Sequence, residues 1–125
     1  MQLVEQDRGG QLFVRRCAAD RIVVVDREFT ASFVLALDRV LDPWPVASAG
    51  TLGAGEAAPL LALDPEVVLL GTGARQVFPP AAFLAAFLTR GIGIEPMDNA
   101  AAARTFNVLG AEGRRVVAAF ILPGG

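Results

Sequence analysis

Two segments of the chain combine residue types that can bind a small anion. The first, residues 71–76, reads Gly-Thr-Gly-Ala-Arg-Gln and follows an apolar run. Backbone N–H groups of such a turn can face a ligand near a helix N-terminus, and Arg75 can donate two parallel hydrogen bonds to a phosphate or carboxylate. The segment lacks the glycine spacing of a dinucleotide-binding loop and the lysine of a P-loop. A tight turn in which glycine permits positive φ is therefore the competing interpretation.

The second segment places acidic residues just before a helix that carries polar ones. Glu95 and Asp98 precede the helix, and Arg104 and Asn107 share one of its faces because they are three residues apart. Two structural interpretations compete: Asp98 as a helix N-cap, and Arg104 as a partly buried ion-pair partner of Glu95, Asp98 or Glu112. The candidate ligand-binding residues of both segments are Gly71, Thr72, Gly73, Arg75, Glu95, Asp98, Arg104 and Asn107.

The composition excludes most side-chain catalysis. The 125 residues include no His, no Tyr and no Lys, since all eleven basic residues are Arg, and the single Cys is Cys17. The chain therefore cannot form a Ser-His-Asp triad, a Cys-His dyad or a Schiff base, and one Cys without His cannot hold zinc or an Fe–S cluster. We expect no cofactor and no metal, and we expect Cys17 to pack without reacting because no histidine can act as its base.

Charge and hydropathy predict the surroundings of the protein. The net charge is −2, and the arginines are scattered along the chain, so no basic stripe for nucleic acid is expected. Residues 1–8 are polar and carry two acids, unlike a signal peptide, which favours a cytoplasmic location. The longest uncharged apolar stretch, residues 77–88, contains two prolines and is shorter than the roughly 18–20 residues that span a bilayer. We therefore predict no membrane span.

The first half of the chain reads mainly as strands. Alternating and β-branched residues predict a hairpin over 11–16 and 22–25, a turn at 26–28 and a third strand within 30–37. The prolines beside Trp44 predict an extended connector, with Trp44 covering the core or its edge. A short helix is expected over 56–63, with Pro59 in its first turn.

The second half alternates strands with helices. Strands are predicted at 67–70, 92–95 and 115–122, separated by a helix from Pro79 to Arg90 and a second from Asp98 to Gly110. A right-handed crossover makes the first two strands parallel, so residues 71–76 and 95–99 should lie at one edge. We predict a single α/β domain over 1–125 with three layers, a mixed central sheet, flanking helices and an N-terminal β-meander that extends the sheet.

The helix from Pro79 to Arg90 is apolar all round. Phe83, Leu84, Phe87 and Leu88 are expected to face the sheet, and the opposite side holds only alanines. A helix of this kind is usually covered on both sides, which predicts a homodimer through this surface. The alternative is that the alanines reflect the composition of the chain, since alanine is an excellent helix former.

Five segments together resemble one known family. They are residues 44–46, 70–73, 91–98, 104–109 and 112–116, and they resemble the MTH-like family of domains of unknown function over nearly the whole chain. Its relatives include the adipogenesis-associated domain protein and mitochondrial respiratory complex I assembly factor 3. The resemblance implies a three-layer α/β fold and, from the mitochondrial member, a non-catalytic role in assembling a membrane enzyme. Where relatives commonly carry Met-Asp-Thr and Cys-Arg-Thr-Tyr-Asn, this chain has Asn99, Ala103 and Phe106, which removes thiol or phenol chemistry from that helix.

Three classes of function stay open from the sequence. The leading hypothesis is a non-catalytic binding or assembly module with a protein partner, in line with the resemblance. The second is a small-molecule or anion-binding domain that uses the candidate residues above. The third is an enzyme with Glu95 and Asp98 as acid and base, which has the least support.

Overall fold

The computed structural model describes residues 10–125, so the prediction about a leader at residues 1–8 concerns residues outside the described part. The strands are β1 (Val14–Cys17), β2 (Ile22–Val24), β3 (Arg27–Phe29), β4 (Phe33–Leu35), β5 (Val40–Leu41), β6 (Val67–Gly71), β7 (Gly93–Met97) and β8 (Val116–Phe120). The helices are α1 (Ala54–Leu61), α2 (Ala81–Leu88) and α3 (Asn99–Ala111), with a 3₁₀ turn at Ala49–Thr51.

A five-stranded mixed sheet forms the centre, in the order β5-β4-β8-β6-β7. Strand β6 is parallel to both of its neighbours, and its register with β7 runs from Val67 opposite Gly93 to Gly71 opposite Met97. Strand β4 is antiparallel to β8 and to β5. The continuous apolar sequence of β6 fits a strand that is buried on both faces, as predicted.

Successive residues of β6 pack into the two apolar layers on either side of the sheet. Val68 and Leu70 belong to the same buried cluster as Leu60 of α1 and Phe83 of α2, while Leu69 belongs to the cluster of Phe106 of α3. The three-layer α/β prediction is confirmed. The N-terminal meander is a separate antiparallel sheet, β1-β2-β3, rather than an extension of the central one. Its buried residues, such as Ile22, pack beside α3 in the second layer.

The meander differs from the sequence prediction at its second turn. Val25 and Asp26 form the turn, and Val25 has φ of 55°, an uncommon conformation for a β-branched residue. Arg27, predicted in the turn, therefore starts β3. Its guanidinium lies 4.4 Å from the centre of the Phe29 ring and 2.7 Å from the Asp42 carboxylate. The two-residue β5 was too short to predict.

Helix α1 starts earlier than predicted, so Pro59 is its sixth residue and not in its first turn. The Glu56 carboxylate accepts a hydrogen bond from the Gly53 N–H at 2.7 Å, which fixes the helix start. Pro59 has no N–H to donate to the Gly55 carbonyl. Because Gly55 is exposed, water can bond its carbonyl instead. Trp44 is 3% exposed and donates to the Glu56 carbonyl, so it covers the core as predicted.

A buried serine joins three distant parts of the chain. The Ser32 hydroxyl donates to the Val46 carbonyl at 2.7 Å and accepts from the Leu122 N–H at 2.9 Å. Its own carbonyl accepts from the Trp44 N–H. Ser32 is fully buried, and these bonds give its hydroxyl and its carbonyl hydrogen-bond partners among the apolar side chains.

Candidate functional site

The two candidate segments lie side by side at the carboxyl ends of β6 and β7. The Thr72 N–H donates to the Met97 carbonyl at 2.9 Å, and the Asn99 N–H donates to the Gly73 carbonyl at 2.8 Å. The Gln76 side chain adds a bond to the Pro96 carbonyl at 2.8 Å. The predicted adjacency of residues 71–76 and 95–99 is therefore confirmed, and it follows from the parallel register of the two strands.

Thr72 organises the turn rather than projecting from it. Its hydroxyl accepts from the Val77 N–H at 3.0 Å and lies 2.7 Å from the Arg75 carbonyl and 3.2 Å from the Met97 carbonyl. Gly73 has φ of 105°, in the region that favours glycine, so the tight-turn interpretation holds for this residue. The hydroxyl is thus engaged by three backbone groups within the turn.

Asn99 connects this turn to the end of β8. It is 3% exposed; its Oδ1 accepts from the Gly73 N–H at 3.1 Å and its Nδ2 donates to the Ile121 carbonyl at 3.0 Å. A Cβ at Gly71 would collide with Asn99 Oδ1 and come within 3.0 Å of Phe120. Gly71 is therefore a glycine because the Asn99 amide and the Phe120 ring occupy the space beside it.

Asp98 is the N-cap of α3, as one interpretation predicted. Its Oδ1 accepts from the Ala101 N–H at 2.8 Å, and its backbone is extended. Asn107, nine residues further along the chain in α3, is also engaged: its amide donates to the Val14 carbonyl and accepts from the Val14 N–H, both at 2.8 Å. This pair of hydrogen bonds attaches the outer edge of β1 to α3.

The prediction that Arg104 is partly buried and ion-paired is wrong. Arg104 is exposed and forms no ion pair within residues 10–125. Its sequence neighbour Ala103 and the nearby Phe106 are buried, but Arg104 and Phe106 are two residues apart and point to opposite sides of the helix. Proximity in sequence misled the prediction, because adjacent helical residues point in different directions.

A shallow cleft of about 240 Å³ lies between the β1–β2 turn and the start of α3. Its lining residues are Cys17, Ala18, Ala19, Gly73, Ala74, Asp98, Asn99 and Ala100. Of the candidate ligand-binding residues, only Gly73 and Asp98 line it. Arg75, Glu95 and Arg104 are exposed outside its lining, and Gly71, Thr72 and Asn107 serve the internal contacts described above.

Cys17 borders this cleft as a half-buried thiol. Burial raises the pKa of the Cys17 thiol above its usual value of 9.0, the Asp98 carboxylate raises it further, and the Arg104 guanidinium lowers it. A thiol with a raised pKa is protonated at neutral pH and a poor nucleophile. The prediction of a packing role for Cys17 is consistent with this environment.

Helix α2 presents an exposed apolar face on the other side of the molecule. Phe83 and Phe87 are fully buried against the sheet, whereas Leu88, predicted to face the sheet, is 59% exposed. Leu88 is one residue beyond Phe87 and thus turns about 100° away from the core. Phe78, in the extended segment before α2, is 69% exposed. We define the α2 surface as Val77, Phe78, Ala81, Ala82, Ala85 and Leu88, all of which are exposed.

The only charges in the segment that carries the α2 surface are positive. Residues 74–90 contain no Asp or Glu, and they contain Arg75 and Arg90. Both arginines are exposed, and neither forms an ion pair in the described part of the chain. In the sequence, the exposed apolar residues of the α2 surface thus lie between two exposed arginines.

A family model and a solved structure match this chain over most of its length. The family model described as "Protein of unknown function (DUF498/DUF598)" matches residues 14–121. The chain belongs to this family. A solved structure of a Xanthomonas campestris protein is 46% identical, with a TM-score of 0.84, and the match covers 99% of this chain and 94% of that one.

Two further DUF498/DUF598-like proteins add detail. A Bordetella pertussis protein, described as an Mth938-like domain, is 34% identical with a TM-score of 0.75 over 91% of this chain and 87% of its own. The predicted MTH-like family is therefore confirmed. A Francisella tularensis protein named "13 kDa major membrane protein" is 25% identical over 117 residues, which is 93% of this chain and 95% of that protein.

Two features of the described residues concern membrane spans and metal sites. Within residues 10–125, no helix is both long and apolar enough to cross a bilayer. The same residues contain no group of three His, Cys, Asp or Glu side chains that could hold a metal ion.

Sequence reasoning missed Asn99 and Ser32 as organising residues. The only sequence signal for Asn99 is its place beside the capping Asp98, and Ser32 has none.

Proposed function

We propose that this protein is a non-catalytic binding module that helps to assemble or attach a larger complex, and that it docks through the α2 surface. The observation that carries the proposal is the exposure of two large apolar side chains, Phe78 at 69% and Leu88 at 59%, at the two ends of the uncharged α2 surface. Exposed apolar side chains that are grouped in this way mark interaction surfaces.

The comparisons supply the context of the proposal. The resemblance to a family with a mitochondrial respiratory assembly factor favours a role beside a membrane enzyme, and one relative is named as a membrane protein. A cytoplasmic location is part of the same proposal. The candidate acid and base give an enzyme little support, because Asp98 is committed to the N-cap of α3 and Glu95 is exposed at the sheet edge.

A second candidate function is the binding of a small anion at the cleft beside Cys17. It is favoured by the position of the cleft at the N-terminal end of α3, where Gly73, Ala74 and Ala100 line it. Titration with inorganic phosphate, followed by backbone amide NMR, tests it directly. Shifts confined to Gly73, Ala74 and Ala100 support this candidate, and unshifted amides there exclude it.

Site-specific photo-crosslinking in host cells tests the leading proposal. Phe78 is replaced by p-benzoylphenylalanine, and the matched control carries the same residue at Val108, which is 56% exposed on α3. We expect adducts from position 78 and none from position 108, and mass spectrometry identifies whether the adduct is a protein, a lipid or a second copy. Equal yields at both positions, or no adduct at position 78, would refute docking through the α2 surface.

A further inference from the structure

We infer that the occupant of the α2 surface is the surface of an anionic lipid bilayer, an inference that rests on the docking function proposed above. The shape of the surface is the first argument. Phe83 and Phe87 are fully buried on the inner side of α2, so the opposite side forms a convex ridge. A ridge of apolar side chains can enter the interfacial region of a bilayer without any change in the backbone.

The spacing of the exposed side chains is the second argument. Ala81, Ala85 and Leu88 follow the i, i+4, i+7 spacing of one helical face, and Phe78 precedes them. The eight residues of α2 are about 12 Å long at 1.5 Å per residue, so one contact with a flat surface can engage both ends. The alanines between them allow α2 to lie close to that surface, and its helical backbone carries few unpaired polar groups into it.

The charge of the segment selects an anionic surface. Arg75 and Arg90 lie just outside the two large apolar side chains, and no acid occurs between residues 74 and 90. Asp64 and Glu66 line the cavity that Arg90 borders, but they pair with Arg115 and Arg114. Each arginine near an anionic headgroup layer strengthens binding about fivefold. The overall charge of −2 weakens binding to an anionic surface only slightly, because charges farther than about 10 Å from that surface are screened by salt.

The same charges disfavour a second copy as the occupant. If two α2 helices pack in parallel, each Arg75 meets the other Arg75, and if they pack antiparallel, each Arg75 meets an Arg90. Cation faces cation in both arrangements, which is unfavourable at an interface. An anionic bilayer complements both arginines at once.

Vesicle co-sedimentation of the full chain tests the inference. The probes are vesicles of phosphatidylcholine with phosphatidylglycerol and vesicles of phosphatidylcholine alone. We expect binding to the anionic vesicles that weakens as salt is raised, a loss of about tenfold in partition coefficient for Phe78→Ser or Leu88→Ser, and a loss of about fivefold for Arg75→Gln. The matched controls Val108→Ser and Arg39→Gln should bind like the wild type.

Several outcomes would overturn the inference, and they separate it from the proposed function. Equal sedimentation with both vesicle types refutes the selection of an anionic bilayer, and an equal loss in Val108→Ser and Phe78→Ser refutes lipid docking through the α2 surface. If vesicles fail to bind while position 78 crosslinks to a protein, the bilayer is excluded and docking through the α2 surface stands. If Phe78→Ser converts a dimer to a monomer in sedimentation equilibrium, the occupant is a second copy.

Discussion

Replacing Asn99 by alanine should destabilise the whole domain, because this one side chain joins the turn after β6, the start of α3 and the end of β8. The substitution removes the acceptor of the Gly73 N–H and the donor to the Ile121 carbonyl, at 3.1 and 3.0 Å. The backbone bond from the Asn99 N–H to the Gly73 carbonyl persists. The loss is therefore confined to the amide group.

The size of the effect follows from burial. Each bond contributes about 1 kcal/mol net, and a buried partner left without a bond costs more, so we expect a loss of roughly 3 kcal/mol in the free energy of unfolding. For a domain of this size that is a fall in Tm of about 10 °C. Gln76→Ala is the matched control, since it removes one exposed bond to the Pro96 carbonyl and should cost less than about 0.5 kcal/mol.

Urea unfolding of four chains measures this coupling: wild type, Asn99→Ala, Gly71→Ala and the double variant. Gly71→Ala alone forces a Cβ against Asn99 Oδ1, whereas in the double variant only the contact with Phe120 is left. The double variant should therefore be more stable than the sum of the single losses predicts. Additive losses, or an Asn99→Ala chain as stable as wild type, would refute this account of the turn.

Three further predictions concern other groups. Ser32→Ala leaves the Val46 carbonyl and the Leu122 N–H without their partner, so urea unfolding should show a loss of about 2 kcal/mol; wild-type stability would show that Ser32 is dispensable. Arg104→Gln should leave stability unchanged but raise the Cys17 pKa further, which shifts the pH profile of iodoacetamide alkylation upward, and an unshifted or lower profile would contradict the electrostatic effect of Arg104 on Cys17. Glu66 has a pKa below its usual 4.5, chiefly because the Arg115 backbone N–H donates to its carboxylate. The ionised carboxylate therefore stabilises the fold above pH 4.5, and this contribution is lost as the pH falls through the folded pKa. In Glu66→Gln, the free energy of unfolding should therefore fall less steeply as the pH drops below 4.5. An unchanged dependence of stability on pH would argue against the hydrogen bond to Glu66.

The central architecture could be predicted because its signals are local. The apolar run of β6, the glycine turn after it and the capping Asp98 each reveal their role within a few residues, and the handedness rule then places the parallel strands. That is why the adjacency of the two candidate segments was predicted correctly.

The polar contacts that organise the site could not be predicted, because their partners are distant in sequence. Asn99 bonds groups 22 and 26 residues away, and Ser32 bonds one 90 residues away. Arg104 and Leu88 were misplaced for a related reason, since each was assigned from its sequence neighbours although helical geometry turns it away from the core. The meander became a separate sheet because its apolar residues, such as Ile22, pack against α3, which follows much later in the chain.

Fractionation of host-cell extracts tests the central claim, that the protein works by docking through its α2 surface. The distribution of the wild-type chain between large complexes or membranes and the free fraction is compared with that of a Phe78→Ser, Leu88→Ser double variant, with Val108→Ser as control. We predict that the wild type and the control are bound, and that the folded double variant appears as a free chain of 13.1 kDa. An equal bound share for the double variant and the wild type would contradict the claim.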